Sequence, residues 1–162
     1  HSELAYQNHV ATLSSYGALP RGPIHADLFR DNVMFERDAT GQPALTGFFD
    51  FYFAGVDTWL FDIAVCLNDW CLDLPTGAAD AQRTRAFLDA YASVRPLQAQ
   101  ERALLPAMAR AGALRFWISR LWDLHLPREA AVLQAHDPEH FYRVLRQRIL
   151  YPLTPQSTQT PA

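Results

Sequence analysis

The segment His25-Ala26-Asp27-Leu28-Phe29-Arg30-Asp31-Asn32 has the form H-x-D-L-x-x-x-N, the spacing of a phosphoryl-transfer loop. In such a loop the Asp orients a hydroxyl and accepts its proton, while the Asn holds a magnesium ion. After a turn at Thr40-Gly41-Gln42-Pro43, an apolar run from Ala44 to Phe49 ends in Asp50-Phe51-Tyr52. That places a second carboxylate at a strand end. Phosphoryl transfer asks the protein mainly for positioning and charge neutralisation. Asp27 would face the nucleophile, while Asn32 and Asp50 offer the hard oxygens that magnesium takes alongside phosphate and water. Strands opening at Asn32 and closing at Asp50 would bring these two side by side by antiparallel pairing. The plain alternative is an ordinary hairpin with turn-favouring Asp and Asn at its ends.

The elements that must hold these residues follow from pattern. Residues 3–16 read as a helix with Ser2 as N-cap, closed near Gly17 and Pro20. An extended stretch from Gly22 to Ala26 enters the loop, and strands at 32–37 and 44–50 form the hairpin. A helix from Thr58 to Leu72, capped by Asp57 or Thr58, is apolar nearly all round, with Trp59, Leu60, Phe61, Ile63, Val65, Leu67 and Trp70. Such a helix is usually buried. Further helices fall near 80–93, 98–125, 128–135 and 138–150, and the Pro-, Thr- and Gln-rich tail 152–162 is expected to be disordered. There are no internal repeats. The fold class is α+β, mainly helical.

The wordings H-A-D-L-F-R-D-N, F-F-D-F-Y-F-A and F-D-I-A-V-C-L-N-D-W-C together resemble the aminoglycoside phosphotransferase and choline kinase superfamily, from about Ser2 to Tyr151. The resemblance implies the C-terminal lobe of a protein-kinase-like fold over 1–151, with a small β-hairpin beside the catalytic loop. It implies Asp27 as catalytic base, Asn32 and Asp50 as magnesium ligands, and ATP with Mg2+ as cofactors. It also implies loop-ordering roles for His25 and for Asp62, the latter as a buried carboxylate bracing the loop. Phe29 stands where kinases of this kind often carry Lys or His, so that phosphate contact is absent or shifts to Arg30. No Gly-rich phosphate loop or strand Lys precedes His25, and the chain begins with His. The expectation is therefore one lobe of a longer enzyme, lacking its N-terminal nucleotide lobe and inactive alone.

Candidate substrate residues lie on the helices. Asp62 and Asp69 are two turns apart and share a face. Asn68 and Asp69 read either as solvated helix-end residues or as a cation site for a substrate ammonium, beside Trp70. Arg115, Ser119 and Asp123 recur every four residues as one polar stripe, with Arg120 off it. That stripe is either a solvated face with an Arg–Asp pair or a place for Arg115 or Arg120 to grip a substrate carboxylate, which suits the guanidinium fork. A small hydroxylated amino acid would need both loci. A quaternary ammonium substrate would instead need an aromatic cage, with Trp59, Trp70, Trp117, Trp122 and Tyr52 as candidate walls. A third possibility is a non-catalytic binding module. His125, His136 and His140 show no metal-ligand spacing and read as surface or packing residues.

At 162 residues with 49% hydrophobic content, the chain makes one domain able to bury a core. Its net charge of −3 and lack of a basic stripe argue against nucleic-acid binding. Cys66 and Cys71, five apart within one predicted helix, form neither a redox nor a zinc pattern. With no apolar run of membrane-spanning length, a cytoplasmic location without membrane partners is expected.

Overall fold

A computed structural model of the chain describes residues 2–126 and 137–154. Helices α1 (Ser2–Ala11) and α2 (Ser14–Gly17) lead to strand β1 (Arg21–Ile24). A 3-10 turn over Arg30–Asn32 precedes β2 (Val33–Arg37) and β3 (Pro43–Phe48). A second 3-10 turn, Phe51–Phe53, precedes β4 (Gly55–Thr58) and α3 (Trp59–Asp69). Helices α4 (Ala81–Val94), α5 (Ala99–His125) and α6 (Pro138–Leu150) follow among the described residues. The expected α+β, mainly helical class holds, with two separate antiparallel strand pairs.

The expected 3–16 helix is two helices, because Thr12 turns its hydroxyl back to the His9 carbonyl at 2.7 Å and Leu13 is extended. Thr, like Ser, offers its neighbours such local alternatives to helical bonding. The extended stretch before the loop finds a partner that sequence pattern did not suggest. Strand β1 pairs with β4, from Arg21 opposite Thr58 to Ile24 opposite Gly55. The β2–β3 hairpin carries a register shift between Met34 and Phe35. Helix α3 begins where expected, capped by Thr58, whose hydroxyl accepts the Leu60 N–H. It ends at Asp69, so Cys71 lies beyond it; both cysteines are free and buried. The expected 128–135 helix lies outside the described residues.

Helix α3 is the buried axis of the molecule. Leu60, Ile63, Ala64 and Leu67 join Leu104, Leu105 and Met108 of α5 and Val10 of α1 in one core. Val65 reaches a second core with Phe116 of α5 and Phe141, Val144 and Leu145 of α6. Leu153 is also buried in the first core, so packing continues past Pro152; residues 155–162 of the expected tail lie outside the described set. Near the start of α5, Glu101 is wholly buried and held by a bidentate Arg95 at 3.0–3.1 Å. That pair closes over the start of α3, where Arg95 lies 4.5 Å above the Trp59 ring.

The loop 73–78 returns the chain from α3 to α4 while lying against α6. Gly77 has φ of +72°, and a Cβ there would come within 2.9 Å of the Val144 backbone nitrogen. Gly41, at φ of +82°, faces open space. Gly77→Ala should therefore destabilise the chain by about 1–3 kcal/mol, through backbone strain plus collision. Gly41→Ala should cost about 1 kcal/mol, from strain alone. Urea unfolding of both variants checks the order, and equal losses would show that the approach to α6 is not tight.

Candidate active site

The loop is anchored on α3 and on the hairpin at once. The N–H groups of His25 and Ala26 both donate to the Asp62 carboxylate at 2.7 Å. Ala26 sits between them and Asp27 with φ of +64°, a conformation that costs a non-glycine residue free energy and persists only where surroundings enforce it. Two charge-assisted bonds are such an enforcement. On the hairpin side, His25 Nε2 meets the Phe49 carbonyl at 2.9 Å, and the His25 ring lies 4.8 Å from that of Phe51. His25 thus ties the loop to the residues flanking Asp50.

Hairpin pairing places Asn32 beside Phe49, one residue before Asp50, so Asp50 lies just past the position directly opposite Asn32. Phe49 N–H donates to the Asn32 carbonyl at 3.1 Å, extending the ladder beyond the regular strands. Asp50 follows in a left-handed conformation with φ of 61° and ψ of 59°. Asn32 uses its amide nitrogen to reach the Asp27 carbonyl at 2.7 Å, leaving its amide oxygen as the free end. Among the described residues no three His, Cys, Asp or Glu side chains gather as a metal-binding set. A magnesium ion shared with phosphates needs only one or two protein carboxylates. Asn32 and the exposed Asp50 carry oxygens of the kind magnesium takes.

Asp27 is half-buried, and one carboxylate oxygen has no hydrogen-bond partner. Burial pushes its carboxyl above the ordinary range; the nearby Asp50 adds to this, while Arg115 and His25 oppose it. Arg115, on α5, donates to the Ala26 carbonyl at 3.1 Å and lies 4.8 Å from the Phe53 ring and 4.6 Å from that of Phe116. It lines a cleft of about 360 Å³ with Ile24, Ala26, Phe53, Val56 and Phe61. Far from pairing with Asp123, Arg115 is turned toward the loop.

Several candidates are placed differently from expectation. Asn68 is fully buried: its amide donates to the Ala109 carbonyl at 2.7 Å and accepts Arg148 Nε at 2.9 Å. It is neither solvated nor available to a ligand. Asp69 is occupied by Arg30, which offers its backbone N–H at 2.8 Å, Nε at 3.0 Å and Nη2 at 3.1 Å. That commitment removes Arg30 as a ready phosphate contact and Asp69 as an open cation site. Trp70 donates its indole N–H to the Leu28 carbonyl at 3.0 Å. Arg120 lies 4.4 Å over the Phe141 ring and donates to the Asp137 carbonyl at 3.2 Å.

The expected departure at Phe29 has a packing cause, since its ring lies 4.6 Å from Phe116 and 5.7 Å from Phe141. The five candidate cage rings do not converge. Trp59 lies under Arg95, Trp117 meets Tyr142 at 5.0 Å, and Trp122 and Tyr52 are exposed. His140 is held neutral-leaning by burial and by Arg120 and Arg143, while His136 lies outside the described residues. Sequence pattern missed two features with no local signal: the β4 strand and the Trp70–Leu28 bond.

A loop of this spacing, braced from a buried helix and joined to a hairpin with a strand-end Asp, defines a phosphotransferase site. The chain belongs to the phosphotransferase enzyme family, whose model matches residues 3–97. It is similar to a homoserine kinase of Polaromonas naphthalenivorans, 68% identical over 93% of this chain and 46% of that protein. A homoserine kinase of Cupriavidus taiwanensis is 57% identical over 98% of the chain and 48% of its own length. One of Ralstonia pickettii is 60% identical over 91% and 45%. The chain spans about half the length of the curated relatives it matches. Among the described residues no helix is long and apolar enough to cross a membrane.

The electrostatics of Asp27 can be read directly by carboxyl-detected NMR titration of this chain. Its midpoint should lie above the ordinary carboxylate range. Arg115→Gln should move it further up, because the lost cation had favoured the ionised form. A midpoint at or below the ordinary value would mean that Asp27 is solvated.

Proposed function

We propose that residues 1–151 form the C-terminal catalytic lobe of a cytoplasmic, ATP- and magnesium-dependent kinase that phosphorylates the hydroxyl of L-homoserine. The observation that carries this is the joining of Asp27, Asn32 and Asp50 through His25, Phe49 and the hairpin ladder. The substrate is supported by the names of relatives that are 57–68% identical. Asp27 orients the homoserine hydroxyl and takes its proton as the oxygen bonds to the γ-phosphorus and ADP leaves. Asn32 and Asp50 would hold magnesium, which neutralises phosphate charge.

Arg115, and not Arg120, suits the substrate carboxylate. It borders the cleft beside Asp27, and apart from the Ala26 bond its fork is uncommitted among the described residues. The hairpin and the segment after it expose Met34, Phe35, Leu45, Phe48, Phe51, Tyr52 and Phe53. That much exposed apolar surface suits coverage by an N-terminal nucleotide lobe, which would complete the ATP cleft. The isolated chain should fold and remain inactive.

In the full-length protein, Asp27→Asn should abolish homoserine phosphorylation while leaving nucleotide affinity intact. Turnover within about tenfold of wild type, a loss under 1.4 kcal/mol, would remove Asp27 as the base. Asp50→Ala should instead abolish the magnesium-dependent part of ATP binding, read by calorimetry with and without the ion. Unchanged binding would make Asp50 a strand-end residue only. Arg115→Leu should lower kcat/KM for homoserine roughly tenfold to hundredfold, as loss of a charge-assisted hydrogen bond does. The amino alcohol lacking the carboxylate should lose less, only the part that comes from the altered loop and Asp27. Equal losses for both substrates would place the carboxylate elsewhere.

A further inference from the structure

The loop that carries Asp27 runs alongside α3 in the same direction and is bonded to one face of it at successive turns. His25 and Ala26 are held by Asp62. The Leu28 carbonyl accepts from Trp70 Nε1 at 3.0 Å and from Cys66 Sγ at 3.7 Å. Arg30 is held by Asp69 through its backbone N–H and the Nε–Nη2 edge of its guanidinium. Positions 62, 66, 69 and 70 fall on one helical face. The Asp62 anchor precedes Asp27; beyond it the loop folds on itself through the Asn32 amide and the Phe29 N–H, both donating to the Asp27 carbonyl, and these bonds alone do not tie it to α3. The Trp70 and Asp69 anchors follow Asp27 and close the loop from the other side.

We propose that Asp69 is a positioning residue: with Arg30 and Trp70 it fixes the second half of the loop and thereby the orientation of Asp27. This rests on the reading of Asp27 as the base. Both Asp69 oxygens are engaged by Arg30, and the Asp69 side chain is only 14% exposed. An ammonium could reach it only by displacing that guanidinium. The helix end that presents Asp69 is itself immobilised. The neighbouring Asn68 is clamped between the Ala109 carbonyl of α5 and Arg148 of α6, a guanidinium only 1% exposed. A rigid second anchor matters because a small misplacement of a reacting group costs far more rate than affinity.

The test uses the full-length protein carrying Asp69→Asn, Arg30→Leu, or both. Each single change should lower kcat for homoserine roughly tenfold to hundredfold, with KM for homoserine and ATP little changed. The double variant should be no worse than the poorer single one, because both break the same pair. Hydrogen exchange of a peptide covering residues 25–32 should quicken in all three while the peptides of α5 stay protected.

A rise in homoserine KM in Asp69→Asn that is absent in Arg30→Leu would overturn the proposal and make Asp69 a substrate contact. Additive losses, or unchanged loop exchange, would overturn it as well. Should Asp69→Asn fail to fold, Arg30→Leu carries the same two readouts, since it replaces the more exposed partner. If the wild-type protein does not act on homoserine, the proposed function fails, and the exchange measurement still decides the anchor.

Discussion

A carboxylate on a buried helix, Asp62, receives the N–H groups of His25 and Ala26, and the geometry around it depends on that pair of bonds. The backbone at Ala26 is left-handed and would relax without an external acceptor for those donors. Because Asp62 rides on α3, the loop inherits the rigidity of the core. Helix α3 in turn is rigid because its apolar residues face α1 and α5 on one side and, through Val65, α6 on the other. The path from composition to chemistry is short here: a helix apolar nearly all round must be buried, and its few polar residues then act on whatever backbone lies beside them.

The site that results is electrostatically mixed. Asp27 is pulled toward its neutral form by burial and by Asp50, and toward its charged form by Arg115 and His25. Arg115 is itself pushed down by burial and restored by Asp27. Each group is thus the partial counter-ion of the other. A base whose proton affinity exceeds that of a free carboxylate is better suited to taking a proton from a hydroxyl. The Arg beside it limits that rise.

Polar residues inside the core divide by role. Glu101 with Arg95 and Arg148 with Asn68 are structural, since all four are committed to protein partners. Breaking either pair would strand a buried polar group, which costs more than the pair contributes when intact. Arg148 bears that cost visibly, since burial depresses its guanidinium to about 10 and one of its nitrogens has no partner. By contrast, Asp27 keeps one oxygen without a partner, and Arg115 lines the cleft with a single hydrogen bond to the Ala26 carbonyl.

Much of this was legible along the chain. The spacing from His25 to Asn32, the turn at Gly41 and the strand-end Asp50 are local, because a hairpin sets its own register and brings its ends together. The burial of α3 and the brace at Asp62 followed from an apolar helix with one early carboxylate. What the chain could not declare was partner choice at a distance. Asp69 beside Asn68 looks from sequence like a solvated or ligand-facing helix end, yet Arg30, far away in sequence, occupies the first and Arg148 the second. Arg115 and Arg120 are equivalent as letters, but their positions on α5 differ by more than one turn, so one faces the loop and the other faces α6. Strand β4 had no pattern of its own and exists because β1 offers it an edge. Local chemistry is written in spacing, which the backbone's own periods decode; which charges meet across the core is decided only when the helices pack.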